Sequence, residues 1–185
     1  PALVRWEHEL FLEHFLKQMD PEAETDVLLA AFARVGRRFL RQPRVLVHRD
    51  LQSTNLMWKR HQPVLIDFQG MRKGPASYDL GSLLADPYLN RPPELQLELL
   101  ESYNQMAEAP VSLQAYRDGV TQRMCQALGA YGRLGALPGA AGFLRHIPAA
   151  VQQLLNWTVE AVLREWAEDF SDRHRHHNPV GGGCE

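Results

Sequence analysis

Apolar residues recur at helical spacing through the first part of the chain. Leu3, Trp6, Leu10, Phe11 and Phe15 form one stripe, and Leu28, Phe32, Val35 and Phe39 form a second. A stripe of this period buries one face of a helix. The pattern predicts a helix over 3–19, a stop at Asp20-Pro21-Glu22, and a second helix that starts there and ends near Leu40. Proline suits the first helical position, which makes the same tripeptide both stop and start. Arg34, Arg37, Arg38 and Arg41 read as a solvated face that complements the helix dipole. Glu7, Glu9 and Glu13 likewise read as a solvated face rather than the wall of a binding site, and Trp6, Trp157 and Trp166 read as core.

The period then changes. Val45-Leu46-Val47, Leu56-Met57-Trp58 and Val64-Leu65-Ile66 are short apolar runs of strand type, the last two joined by a polar turn that predicts a hairpin. A polar loop over 48–55 separates the first two runs. Gly70, Gly74 and Pro75 announce a further loop after Asp67. Helical patterning returns over 78–85, 93–106, 113–134 and 147–170, the last opening at Pro148 and burying Val151, Leu154, Leu155, Val162 and Trp166. Residues 173–185 are rich in His and then Gly, and read as a disordered tail. His174, His176 and His177 lie in it with no fixed geometry for a metal. The expected fold class is α+β, mainly helical, with one small β island in a helical body.

Bulk properties narrow the function classes. The 185 residues carry a net charge of −2, so the chain as a whole has no basic field for nucleic acid. No apolar run approaches the roughly 20 residues needed to span a bilayer. The two cysteines, Cys125 and Cys184, are too few for a disulfide scaffold and fit a reducing cytoplasm.

The β island holds nearly all the chemistry. Asp50 follows a strand, Asn55 opens the next, and Asp67 ends the third. Taken singly, each is an ordinary loop former. Together they make a hard set of two carboxylates and one amide oxygen, suited to Mg²⁺ or Mn²⁺ with phosphate oxygens completing the shell. The carboxylate not bound to metal is left to orient a hydroxyl and accept its proton. That is the division of labour in kinase-type phosphoryl transfer.

The wording His48-Arg49-Asp50, then Asn55-Leu56-Met57, then Leu65-Ile66-Asp67-Phe68-Gln69, then Gly74-Pro75-Ala76-Ser77-Tyr78-Asp79-Leu80, resembles the aminoglycoside phosphotransferase and choline kinase-like superfamily. This is a branch of the protein kinase-like fold. Within it the wording is most similar to the anomeric kinases of N-acetylmuramate and N-acetylglucosamine in cell-wall recycling. The motif-bearing stretch covers about a quarter of the chain and corresponds to the C-terminal lobe of that fold. The resemblance implies Asp50 as catalytic base, Asn55 and Asp67 as Mg²⁺ ligands, and ATP as donor. It implies a structural role for His48, bonded to backbone near Asp67, and for Asp79, accepting backbone N–H groups of the catalytic loop. Arg49 belongs with that supporting set, or contacts phosphate or carboxylate. Gln52 stands where protein kinases place a phosphate-contacting lysine and is a phosphate or substrate contact. Gln69 stands in place of the first glycine of a DFG motif. These departures, and the lack of an Ala-Pro-Glu segment, point to a small-molecule kinase.

No Gly-rich phosphate loop or strand lysine precedes Asp50, and the chain begins with Pro1. The expectation is therefore that 1–172 form the C-terminal lobe of a longer enzyme, that the nucleotide lobe belongs to the same parent chain, and that 185 residues alone are inactive. The acceptor expected is a small molecule, an amino sugar; aminoglycosides or choline-like alcohols are the alternative, and a non-catalytic regulatory lobe is a third reading. A metal-dependent hydrolase is a distant fourth. No nucleic-acid or membrane partner is expected.

Overall fold

The computed structural model describes residues 2–175. Helix α1 (Ala2–Phe11) continues through a π-helical stretch, Leu12–Leu16, into a last α-turn, α2 (Lys17–Met19). Phe11, Phe15 and Leu16 of this segment are buried. Pro21 does not start the next helix. Ala23 N–H bonds the Asp20 carbonyl and Thr25 Oγ1 bonds the Ala23 carbonyl, so a turn precedes α3 (Thr25–Phe39).

Four strands follow: β1 (Arg44–Val47), β2 (Leu56–Lys59), β3 (Gln62–Leu65) and β4 (Arg72–Pro75). β2 and β3 form the expected hairpin, with Leu56 opposite Leu65. β4 falls where a loop was expected. Its sequence, Arg-Lys-Gly-Pro, has no apolar alternation, and it is a strand because β1 pairs with it antiparallel, Val47 opposite Arg72. The two pairings converge. One ties the start of the 48–55 loop to the chain after Asp67, and the other ties Asn55 to the residue before Asp67.

The helical body comprises α4 (Ala76–Leu84), α5 (Pro93–Met106), α6 (Leu113–Gly135), α7 (Ile147–Trp157) and α8 (Ala161–Arg175). α6 runs through the middle, with Tyr116, Val120, Met124 and Leu128 fully buried. It crosses α4 at backbone contact. A Cβ on Gly81 would lie 2.8 Å from the Val120 nitrogen, and one on Gly119 would strike the Ser77 carbonyl. Glycine inside a helix costs about 1 kcal/mol against alanine, and here it lets α4 and α6 approach closely beneath the β island.

The expected helix over 147–170 is broken. Thr158 is extended, its hydroxyl accepts the Glu160 N–H, and Arg164 donates to the Thr158 carbonyl. Two adjacent β-branched residues, Thr158 and Val159, make this a weak point for a helix. Tertiary ion pairs hold the break open. Arg38 binds Asp118 at 2.8 Å and Glu160 at 2.7 Å, and Arg34 binds Glu160 at 2.8 Å. Arg34 and Arg38 are therefore a tie between α3, α6 and the α7–α8 junction, not a solvated face.

Trp157 and Trp166 are buried, but Trp6 is 44% exposed, against the expectation of core. α8 continues to Arg175, beyond the boundary expected at 172. Arg173 grips the buried Asp20 at 2.6 and 2.8 Å, and His174 stacks on Phe170. His176, His177, the glycine run and Cys184 lie outside the described residues. Among the described residues, no helix is long and apolar enough to cross a membrane.

Burial alone would raise the Asp20 and Glu160 carboxyls. Hydrogen bonds from Arg173 and Trp166 to Asp20, and from Arg38 and Arg34 to Glu160, more than offset it and hold both below their ordinary values. A depressed folded-state value means that the stabilisation is present above the unfolded range, about pH 4, and is lost as pH falls through the folded value. Urea unfolding of the wild type is thus expected to shift to a lower midpoint on acidification below about pH 4. Asp20→Asn should have a lower midpoint at pH 7 and a shallower acid slope. An unchanged slope would remove Asp20 as a contributor.

Candidate active site

The loop after β1 carries the chemistry, and its backbone is held from below. The Asp79 carboxylate, in the first turn of α4, accepts the His48 N–H at 2.6 Å and the Arg49 N–H at 2.9 Å. Burial pushes this carboxyl up from its ordinary value, and the two backbone donors pull it partly back. The pair of donors fixes an unusual turn, with Arg49 left-handed at φ 75°. His48 Nε2 lies 2.9 Å from the Ile66 carbonyl. A carbonyl only accepts, so Nε2 carries the proton, and Nδ1 is buried without a protein partner. Asp86 clamps the far side of the loop, accepting the Ser53 N–H at 2.7 Å.

This scaffold places Asp50 at a cavity of about 280 Å³, which His48, Arg49, Asp67, Gln69, Trp6, Glu7, Arg123 and Gln126 also line. The Asp50 side chain is 41% exposed, yet both carboxylate oxygens are engaged. Arg123 Nη2 donates to Oδ1 at 3.0 Å, and Asn55 Nδ2 and Gln52 Nε2 donate to Oδ2 at 3.0 and 3.3 Å. Asn55 Nδ2 also bonds the Asp50 carbonyl at 2.8 Å. With its nitrogen spent on Asp50, Asn55 keeps its amide oxygen free of protein donors among the described residues. The Asn55 carbonyl accepts the Ile66 N–H at 3.1 Å, which ties the residue before Asp67 to Asn55. Asp67 is left-handed, φ 63°, and its carboxylate accepts from Gln69.

The Asn55 amide oxygen and the Asp67 carboxylate suit a hard cation. Among the described residues no group of three or more His, Cys, Asp or Glu forms a metal cage. Two protein ligands, with phosphate oxygens and water filling the shell, is how magnesium is commonly held beside a nucleotide.

The residues singled out from the sequence thus gather at one place: Asp50, Asp67, His48 and Arg49 at the cavity, Asn55 on Asp50, and Asp79 beneath. Gln52 is not among the lining residues, and its amide is engaged by Asp50 and Arg123. Glu7 requires correction. It is 1% exposed, accepts from Tyr78 Oη at 2.6 Å and Gln122 Nε2 at 2.7 Å, and lines the cavity instead of facing solvent. Burial pushes its carboxyl up, with the Tyr78 and Gln122 hydrogen bonds opposing. Glu9 and Glu13 are exposed, Glu13 pairing with Lys17. Arg123, Gln126 and Asp86 also escaped the sequence reading. Arg123 had one legible signal, an arginine between Val120 and Ala127 on the buried stripe of α6.

The sequence profile of the phosphotransferase enzyme family matches residues 2–117, and the chain belongs to that family. It is similar to the N-acetylmuramate/N-acetylglucosamine kinase of Pseudomonas putida, 32% identical over 160 residues, covering 80% of this chain and 47% of that protein. The protein of the same name from Neisseria meningitidis is 46% identical over 70 residues, 38% of this chain and 21% of its own length. That from Pseudomonas aeruginosa is 29% identical over 163 residues, 80% of this chain and 47% of its own. The chain spans about half the length of the two Pseudomonas relatives.

Proposed function

We propose that this chain is the acceptor-side half of an ATP-dependent phosphotransferase. Its substrate is a hydroxyl of a small molecule, an amino sugar of the N-acetylmuramate/N-acetylglucosamine type, in cytoplasmic cell-wall sugar recycling. One observation carries the reading: Asp50 stands open to a cavity that Asp67 also lines, with its carboxylate held at both oxygens, one of them by an Asn55 whose amide oxygen is left free and whose backbone carbonyl holds Ile66, the residue before Asp67. The names of the relatives supply the amino-sugar class.

In this reading the acceptor hydroxyl donates to Asp50. As its oxygen bonds the γ-phosphorus and the bond to the bridging oxygen of ADP breaks, the proton passes to the Asp50 carboxylate. Asn55 and Asp67 would hold Mg²⁺ or Mn²⁺, which supplies charge neutralisation on the nucleotide phosphates. His48, Asp79 and Asp86 keep the loop in place. Trp6, Arg49 and Gln126 offer the acceptor an aromatic face and polar groups.

A nucleotide-covering lobe of the same parent chain belongs with this half. Leu46, Met57, Trp58 and Phe68 stand out from the β island, Trp58 at 72% and Phe68 at 60% exposure. Large apolar side chains left this exposed are the kind of surface that another body covers. The span of about half the Pseudomonas relatives accords with such a lobe.

The test is an acceptor panel with the full-length parent protein, ATP and magnesium. N-acetylmuramate or N-acetylglucosamine should yield phosphosugar and ADP, and chelation of the metal should stop turnover. Residues 1–185 alone should turn over at most at a trace rate. Transfer only to an aminoglycoside or choline would move the acceptor class. No transfer to any acceptor would favour a regulatory lobe.

A further inference from the structure

We infer that Arg123 is the positioning residue of Asp50, an inference that rests on Asp50 being the base. Arg123 lies outside the stretch matched by the family profile and is 73 residues from Asp50 in sequence. It is 7% exposed. A guanidinium withdrawn from water is costly unless it is paired and hydrogen-bonded. Among the described residues the carboxylate within ion-pair distance of Arg123 is Asp50, at 3.0 Å.

The geometry is that of an aimed contact. Arg123 rises from the middle of α6 between fully buried neighbours, Gln122 and Met124, so its backbone is fixed by the core. Its Nε donates to Ser82 Oγ on α4 at 3.0 Å, which sets the plane of the guanidinium. Its Nη2 then reaches Asp50 Oδ1 and, at 3.4 Å, Gln52 Oε1. Arginine presents donors in a rigid fork, and lysine, with one ammonium, cannot serve Ser82 and Asp50 with the same spacing.

The other carboxylate oxygen is held by Asn55 and Gln52. Asp50 therefore cannot turn about its last side-chain bond without losing contacts on both oxygens. The orientation that remains is the one that opens on the cavity. The helical body thereby sets the direction of the base, through the glycine-lined crossing of α4 and α6 that brings Ser82 and Arg123 together.

The experiment uses the full-length protein with the sugar that turns over in the acceptor panel. Arg123→Ala should lower kcat about 10–100-fold, the scale of a misplaced catalytic group. KM for ATP should stay within about two-fold, because the nucleotide site is untouched. Millimolar guanidinium should restore part of kcat in Arg123→Ala and none in Asp50→Ala. Ser82→Ala keeps the charge and loses only its aim, so it should lower kcat several-fold, and Arg123→Lys should fall between Ser82→Ala and Arg123→Ala. If Arg123→Ala does not fold, Ser82→Ala and Arg123→Lys decide. Wild-type kcat in both overturns the inference, as does a loss in Arg123→Ala that guanidinium does not restore and Ser82→Ala does not share. Wild-type protein that transfers phosphate to no acceptor removes the reading of Asp50 as base, and the inference with it.

Discussion

Asp50→Ala in the full-length protein is expected to lower kcat for phosphoryl transfer by about 10²–10⁴-fold, the usual contribution of a positioned general base. Asp50→Asn should lose nearly as much. An amide keeps the shape and can still accept from Asn55, but it does not take up the acceptor's proton. KM for ATP should move little in either variant, because Asp50 faces the acceptor cavity. Steady-state kinetics with the sugar and the nucleotide varied in turn reads both quantities. Both variants leave the buried Arg123 guanidinium without its carboxylate, so a lower Tm should accompany the catalytic loss. The fall should be larger for Asp50→Ala than for Asp50→Asn, which keeps one acceptor oxygen. A variant with wild-type kcat would instead favour a lobe that regulates and does not catalyse.

Asp79→Ala is expected to have the second-largest effect, from a residue that touches no substrate in this reading. Its carboxylate is the acceptor for the N–H groups of His48 and Arg49. Removal strands both donors, at about 1–3 kcal/mol for each buried group left unpaired. In a chain of this size, each kcal/mol corresponds to roughly 2–4 °C in Tm. The left-handed turn at Arg49 loses its anchor at the same time, and Asp50 is the next residue. A fall in kcat of about 10–100-fold is expected, the range for losing a supporting contact of a catalytic site. Asp79→Asn separates charge from geometry. Its amide oxygen can accept one of the two N–H groups, but its nitrogen meets the other donor with a donor, so Asn should rescue little. Thermal melts together with kcat check both effects. Wild-type values for Asp79→Ala would mean that the loop is held by other contacts.

The site was legible where its chemistry is local. His48, Asp50, Asn55 and Asp67 lie in a short stretch between strands, and their spacing survives any packing of the rest. The supporting contacts that cross the fold were legible only in part. Asp79 was visible through its place in a known wording. Glu7 was misread because a glutamate among helix-face charges gives no sign that Tyr78 and Gln122 come to meet it. Arg34 and Arg38 were misread for the same reason, since their partners Asp118 and Glu160 are distant in sequence. The strand at Arg72–Pro75 had no pattern of its own to read, because its pairing is supplied by β1.

By itself the sequence determined the helical body, the hairpin and the set of groups at the catalytic loop. Periodicity, turn residues and motif spacing are properties of neighbours along the chain, and they act before any long-range contact forms. Only the tertiary structure decided where β4 pairs, where the helix over 147–170 breaks, and which way Asp50 faces. Each of those outcomes depends on a partner far along the chain: β1 for β4, Arg34 and Arg38 for the break, Arg123 for Asp50. For Arg123 the meeting depends on helices α4 and α6 packing closely across Gly81 and Gly119, which brings Ser82 to its guanidinium and aims it at Asp50.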